Sequence, residues 1–470
     1  MTAPAERHAE PSWVQNAVWW QVYPLGFLGA EPAADNATLT HRLPGLIDWL
    51  DYAVALGASG LLLGPIFASA THGYDTIDHF RIDHRLGDER DLALLLDAAH
   101  ARGLRVLLDG VFHHVGRGFG PFQEVLEQGP AAPGAVWFRL SWPDPGAACA
   151  EPDYATFEGH RELVALDHGE PAVIEHVVSV MDHWLSVGAD GWRLDAAYAV
   201  PREFWATVIS RVRDKHPQAY FVGEVIHGPY AAIVRDGDLD ATTQYELWKA
   251  IWSSLNDRNF FELAWALDRH NAMLDTFIPL TFIGNHDVTR IATRIDNELH
   301  LTHALVILLT TAGTPSIYYG DEQGERALKY NGAGGDDAIR PPYPPGGPDA
   351  LPANGWETYQ LHQRLIALRR RHPWLHSART QRIQLSKRRF IYAVRDDEQQ
   401  LIVALNIDDS PSCHEAPPNH LVVAGNGTIH SASGTTPTLT LPAHGWAIIG
   451  ASPDSSPPAA SDASNCAQRA

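Results

Sequence analysis

Hydrophobic and polar positions fall into a repeating block pattern along the chain. A short apolar run ends in a polar or charged cluster, and a stretch with apolar residues at helical spacing follows. Eight such runs occur, at 18–24, 60–65, 105–109, 191–195, 219–224, a weaker one at 241–246, 281–287 and 316–322. Between them, 88–102 carries leucines at helical spacing and stops at Gly103. The stretch 170–187 stops at Gly188, and 201–216 opens with Pro and Glu and ends in a basic turn before Pro217. Continuous apolar strands alternating with helices predict a parallel sheet buried on both faces. Eight βα units predict an α/β fold of the (β/α)8 TIM-barrel type, whose active site lies at the C-terminal ends of the strands.

The pattern departs from a plain barrel in two places. The segment 114–167 is too long for a simple βα loop and is rich in Gly, Pro, Trp and Phe. It is expected to be a small inserted domain, which leaves 13–113 and 168–378 for the barrel. After 378 the helical spacing gives way to short alternating strands at 389–392, 401–406, 421–423, 438–441 and 446–449, separated by turn residues. These predict an antiparallel β-sandwich over 379–451. The remaining 452–470 is rich in Pro, Ser and Ala and is expected to be a disordered tail.

Composition narrows the class. The 470 residues are 45% hydrophobic and 19% charged, which is globular. With Lys+Arg 35 against Asp+Glu 56, the net charge is −21. Such a balance argues against nucleic acid or an anionic membrane as partner. Cys149, Cys413 and Cys466 are odd in number and widely spaced, so neither a disulfide framework nor a zinc site is expected. No charged residue lies between Asp51 and His72, but Gly57, Gly60, Gly64 and Pro65 interrupt that stretch, which suits a helix end and a strand better than a membrane span. The first residues are polar without an apolar leader core. A cytoplasmic enzyme is the expectation. Fifteen tryptophans suit core anchoring first and sugar stacking second.

Three carboxylates, Asp195, Glu224 and Asp287, each stand at the end of an apolar strand, where a barrel would converge them. Cleavage of a glycosidic bond needs a nucleophile and a proton donor of this kind. Arg193, two residues before Asp195, points to the same face of the strand and is expected to keep Asp195 ionised and aimed. The Tyr-Phe-Val-Gly run before Glu224 is expected to raise its pKa. Any one strand-end carboxylate alone is more often an ion-pair or capping residue, and most of the 25 histidines are ordinary core or loop residues.

Jointly the motifs resemble the α-amylase family of glycoside hydrolases. Asp109-Gly-Val-Phe-His-His114, Gly191-Trp-Arg-Leu-Asp195, Gly223-Glu224 and Asn285-His286-Asp287 are similar to its four signature regions. His72-Gly73-Tyr74-Asp75 and Gly64-Pro65-Ile66-Phe67 are similar to its further signatures. The resemblance implies a retaining double displacement. Asp195 would be the nucleophile, Glu224 the general acid/base and Asp287 the transition-state stabiliser. Arg193, His114 and His286 would position the sugar, Tyr74 would stack beneath it, Asp75 would support the site, and Asp109 would be structural. Where calcium-dependent members carry Asn, this chain has His113, a poor ligand for a hard cation, so no metal and no other cofactor is expected.

Within the family, Val222-Gly-Glu-Val-Ile-His227 and Asp336-Asp337-Ala-Ile-Arg340-Pro341-Pro342 resemble the cyclomaltodextrinase, neopullulanase and maltogenic-amylase group. Members of that group carry an N-terminal β-domain that helps form dimers. Here the barrel starts near residue 13, so a homodimer would use another surface. The implied substrate is a short linear or cyclic maltooligosaccharide cleaved at α-1,4 bonds to give maltose. Ala196 after the nucleophile resembles α-1,4-acting members, whereas many α-1,6-glucosidases carry Val there. A transglycosylase or an α-1,6- or sucrose-acting glucosidase on the same scaffold is the alternative. A non-enzymatic binding homologue is disfavoured, because all three carboxylates and Arg193 are present.

Overall fold

Each of the eight predicted runs forms a strand of one parallel sheet. In chain order these are β1 (Trp19–Val22), β2 (Gly60–Leu63), β3 (Arg105–Gly110), β4 (Gly191–Leu194), β5 (Tyr220–Gly223), β6 (Ala241–Thr242), β7 (Leu280–Phe282) and β8 (Thr314–Tyr318). The computed structural model describes residues 10–30, 32, 38–142, 151–332, 334–432 and 434–451. The sheet runs β6-β5-β4-β3-β2-β1-β8-β7, and a parallel bridge between Thr243 and Leu280 joins its two edges. The result is the expected barrel. Its strands are buried on both faces, which is why they read as continuous apolar runs rather than alternating ones. Trp19 and Tyr220 stack at 6.2 Å, and Trp13 meets both edge-on at the N-terminal end of the barrel.

The helices follow their sequence signals. In the helix Glu89–His100, Asp88 accepts from the backbone of Arg90 and Asp91 while Asp91 reaches back to Asp88, a capping box that contributes about 1 kcal/mol. The helix Pro171–Val187 ends at Gly188, and Arg202–Arg213 opens after Pro201. Five tryptophans, Trp19, Trp20, Trp184, Trp192 and Trp205, are almost wholly buried, so core anchoring accounts for them.

Two structured connections shape the C-terminal mouth. After β2, the hairpin Phe67–Ser69 with Thr76–Ile82 carries Tyr74 and Asp75 at its tip. It is locked from below by Arg85, which grips Asp83 through two 2.8 Å contacts and donates to the Thr71 carbonyl at 2.6 Å. After β3, the strand His114–Gly116 pairs antiparallel with His160–Ala165, and Phe122 of the helix Gly120–Gln128 meets Phe138 and Tyr154 edge-on.

The C-terminal region holds a five-stranded antiparallel sheet, ordered Arg379–Leu385, Arg389–Arg395, Gln400–Asn406, Trp446–Ala451 and His420–Gly425. A three-stranded sheet of Ser412–Glu415, Thr438–Leu441 and Thr428–His430 faces it. Three of these strands were not foreseen: Arg379–Leu385, Ser412–Glu415 and Thr428–His430. The larger sheet is sewn to the barrel by its apolar face and by His303, which donates to the carbonyls of Asn406 and Gly445. The expected tail, with Cys466, and Cys149 lie outside the described residues. Cys413 is a free, exposed thiol. Among the described residues, no helix is long and apolar enough to cross a membrane.

Candidate active site

The ends of β3, β4, β5 and β7 meet around one guanidinium. Arg193, in β4, donates through Nη1 to both oxygens of Asp109 at 2.7 and 2.8 Å and to Asp195 Oδ1 at 3.1 Å. Its Nη2 lies 2.8 Å from Glu224 Oε1. All four side chains are buried or nearly so. The expected contact of Arg193 with Asp195 is present, but the same positive charge also serves Asp109 and Glu224. Burial, and then the neighbouring Glu224 carboxylate, push Asp195 well above the ordinary carboxylate range against the pull of Arg193. Burial raises Asp109 as well. Carboxylates gathered this closely share protons as a group rather than titrating singly.

The surroundings of Glu224 also differ from expectation. Polar donors rather than apolar groups meet its carboxylate. The Tyr245 hydroxyl lies 3.2 Å from Oε1, and the Ala196 amide donates to Oε2 at 3.1 Å. Ala196 sits in the left-handed region, at φ 45°, immediately after Asp195. That uncommon backbone turns its N–H toward Glu224 and ties the end of β4 to the end of β5.

Asp287 is the most open of the three carboxylates, with about a third of its side chain exposed. Its amide is capped by Asn285 at 2.9 Å, and Asn285 in turn donates to the Tyr245 hydroxyl at 2.8 Å. His286 Nε2 lies 3.0 Å from Asp287 Oδ2, and Arg340 donates to Oδ1 at 2.9 Å. Burial alone would raise this carboxyl. His286, Arg340 and Arg193 override it and hold Asp287 well below the ordinary range.

Tyr74 joins the two halves. Its hydroxyl donates to Asp109 at 3.0 Å and touches His286 Nε2, and its ring stacks on His286 at 5.5 Å. Tyr23 stacks on His286 at 6.0 Å, and Gln21 lies 3.1 Å from its Nδ1. Gly73 makes the Tyr74 placement feasible. At φ 88° a side chain would be strained, and a Cβ would fall 2.7 Å from Pro65.

Two predicted site residues stand outside this cluster. Asp75 spends both oxygens on Thr71, on its amide at 3.0 Å and its hydroxyl at 2.5 Å. It therefore braces the loop bearing Tyr74. His114 donates from Nε2 to the Tyr74 carbonyl at 3.1 Å and stacks on Phe157 at 4.7 Å. Four neighbours were missed as site residues: Gln21, Tyr245, Asn285 and Arg340. Asn285 and Arg340 stood inside recognised motifs, and Tyr245 sits at the end of the weakest strand run. A hollow of about 410 Å³ opens beside Tyr23, His72 and Arg340, and another of about 440 Å³ beside Ala197, Tyr198 and His227. Among the described residues, the one grouping of His and carboxylate groups close enough for a metal is His41, Asp88 and Asp91. Asp88 and Asp91 form the capping box already described, and His41 Nδ1 lies 2.6 Å from Asp91.

Paired carboxylates at the mouth of a parallel barrel suit the class of enzyme that cleaves glycosidic bonds. Comparison with known proteins agrees. Residues 21–341 match the family described as alpha amylase, catalytic domain, and the chain belongs to the α-amylase family of glycoside hydrolases. A cyclomaltodextrinase of Geobacillus thermopakistaniensis is 30% identical over 476 aligned positions, covering 93% of this chain and 77% of that protein. Among solved structures, a debranching enzyme of Nostoc punctiforme superposes with a TM-score of 0.80 at 28% identity, over 94% of this chain and 100% of that one. A cyclic α-maltosyl-(1→6)-maltose hydrolase of Arthrobacter globiformis superposes with a TM-score of 0.77 at 27% identity, again over 94% and 100%.

Proposed function

We propose that the protein hydrolyses α-1,4 bonds of short linear or cyclic maltooligosaccharides in the cytoplasm, with retention of configuration and with maltose as a main product. The observation that carries this reading is the shared guanidinium: Arg193 holds Asp195 and Glu224 at the ends of adjacent strands, facing one space. In this reading Asp195 attacks the anomeric carbon and forms a glycosyl-enzyme ester. Glu224 gives its proton to the leaving oxygen, then takes one from the attacking water. Asp287, fixed by His286 and Arg340, stays anionic and binds sugar hydroxyls as positive charge develops on the ring. Sugar units beyond the scissile bond are assigned to the hollow beside Arg340, which holds Asp287, and to the one lined by Tyr198 and His227, three residues past Asp195 and Glu224.

The names of the relatives support the substrate class. A cyclomaltodextrinase and a cyclic maltosyl-maltose hydrolase both act on closed rings of glucose. The debranching neighbour supports a second reading, action at α-1,6 bonds. The deciding experiment is a chromatographic product time course on soluble starch, maltotetraose, a cyclodextrin, cyclic maltosyl-maltose, isomaltose and sucrose, with Glu224→Gln as control. Maltose from the short or cyclic substrates and a dead control are expected. Release of α-configured sugar, read by NMR before mutarotation, checks retention. Products longer than the substrate would move the enzyme to the transglycosylases. Action confined to isomaltose or sucrose would overturn the α-1,4 assignment.

A further inference from the structure

The junction between the end of β3 and the inserted segment is where calcium-dependent family members place their ion, and the residues here do not fit a hard cation. A calcium site needs six or more oxygen donors converging on one point. Here His113, buried, packs its ring against Phe157 at 5.0 Å and His168 at 5.7 Å. The nearby carbonyl oxygens already accept hydrogen bonds: Phe112 from His168 Nε2 at 3.0 Å, His113 from the Leu166 amide at 3.1 Å, and Tyr74 from His114 Nε2 at 3.1 Å. Asp167 Oδ1 takes the Gly169 amide at 3.1 Å. Arg139 is close enough to disfavour further positive charge on both His113 and His168.

The histidines present do something an ion would not. The Tyr74 carbonyl can only accept, so His114 must carry its proton on Nε2. In a neutral imidazole the other nitrogen is then a bare acceptor. The atom facing His114 Nδ1, at 3.3 Å, is His113 Nδ1. For that contact to be attractive, His113 must carry its own proton on Nδ1. Burial keeps both rings uncharged, with His113 held down to about 4 and His114 to about 3. His72 and His79 face His114 from the hairpin after β2 and press in the same direction. A relay follows: a proton on His113 Nδ1 reinforces the Nε2–H tautomer of His114, and His114 in that tautomer holds the backbone of Tyr74. Tyr74 in turn reaches Asp109 and His286 in the carboxylate cluster.

We infer that His113 is a positioning residue that takes the place of a structural calcium ion, acting through His114 on Tyr74. The test has three arms, and two of them are independent of the substrate. First, the melting temperature of the wild-type protein is followed after chelator treatment and after addition of calcium chloride. No shift is expected. A calcium-dependent rise that persists in Asp88→Asn, where the separate His41 grouping has lost a carboxylate, would overturn the inference. Second, long-range 1H–15N spectra of the histidine rings are recorded on wild-type protein. An Nε2–H His114 beside an Nδ1–H His113 is expected, and the opposite pairing would overturn it. Third, His113→Phe keeps a ring but removes the donor. Its kcat/KM on maltotetraose is expected to fall roughly tenfold or more through misplacement of Tyr74, with the loss mainly in kcat and partial rescue by His113→Asn. If His113→Phe folds and keeps both wild-type kcat/KM and the wild-type His114 signal, the inference fails. If it does not fold, the tautomers of the wild-type protein decide alone.

Discussion

Arg340 donates from Nη2 to Asp287 Oδ1 at 2.9 Å, from a position fifty-three residues further along the chain. The same guanidinium donates through Nε to the His286 carbonyl at 2.9 Å and through Nη2 to Asp336 at 2.9 Å. It lies over the Tyr23 ring, 4.5 Å from its centre. One side chain from the Gly- and Pro-rich loop after β8 thus fixes both the backbone and the carboxylate of the β7 motif.

Arg340→Ala is accordingly expected to lower kcat/KM by about 10- to 100-fold, the value of one or two charge-assisted hydrogen bonds. The sign of its pH effect follows from Asp287. That carboxyl is held down in the folded protein, so its anionic form is available at any pH above the ordinary carboxylate range and persists well below it. Removing Arg340 raises the carboxyl, and the acidic limb of the activity profile moves to higher pH. Arg340→Lys keeps the charge but loses the fork and is expected to fall between. Steady-state kinetics across pH on one substrate checks both. An unmoved acidic limb in Arg340→Ala would mean that His286 and Arg193 hold Asp287 without it.

Glu224→Gln separates proton donation from nucleophilic attack. With maltooligosaccharides, whose leaving groups are poor, kcat is expected to fall by about 10²- to 10⁴-fold. With an aryl glycoside bearing a good leaving group, the glycosylation step should be largely preserved, so a burst of phenol precedes slow turnover. Asp195→Asn should give neither burst nor turnover. A burst in Asp195→Asn would overturn the assignment of the nucleophile.

The barrel and its carboxylates were legible in the sequence for a physical reason. Parallel strands buried on both faces read as uninterrupted apolar runs, and the polar cluster that closes such a run sits at the barrel mouth. Asp195, Glu224 and Asp287 are found this way without knowledge of any contact. Even β6, only two residues long, was marked by its place in the alternation. What failed to show was anything set by distant packing. Arg340 belongs to a loop whose path depends on Tyr318 and Arg290, both of which hold the Ile339 carbonyl. Tyr245 reaches Glu224 only because β5 and β6 are neighbours. Strand Arg379–Leu385 was missed because it is a mostly exposed edge with no alternating apolar face. The shared use of Arg193 was also invisible, since strand register, not sequence spacing, brings Asp109 opposite it.

Acid stability offers a prediction with opposing contributions. Burial holds His79, His113, His270, His300, His303 and His362 down to about 4, and His114 and His176 to about 3. Between the ordinary histidine pKa of about 6.5 and those values, the unfolded chain binds protons that the folded one refuses. Their contribution is therefore complete above that ordinary value and lost as pH falls toward 4. Buried acids act in the other direction. Asp240 and Asp321 are pushed up to about 6 and Glu322 to about 7, and Asp195 and Asp109 are also raised. These gain as pH falls through the same window. The histidines outnumber them, so the melting temperature is expected to drop on acidification from about pH 7 to pH 4.5. Scanning calorimetry across that range reads the slope directly. A flat or rising curve would mean that the buried acids dominate.

A glycine positions the β7 motif from behind. Gly284 lies between the end of β7 and Asn285, and a Cβ there would fall 1.9 Å from Asp321 Oδ2. Asp321 cannot step aside cheaply, because its other oxygen pairs with the buried Arg290 at 3.2 Å. Arg290 also donates to the carbonyls of Tyr319 and Ile339, and so anchors the loop that delivers Arg340. Gly284→Ala is therefore expected to destabilise the fold by about 1–3 kcal/mol, the usual cost of overpacking. It should also lower kcat/KM more than an equally destabilising change remote from the mouth, because it displaces Asn285, His286 and Asp287 together. Ile448→Val, buried in the C-terminal sheet, serves as the remote comparison. Denaturant melts paired with kinetics on the same samples distinguish the two effects. If Gly284→Ala loses stability but keeps its full specific activity, the β7 motif does not depend on this packing.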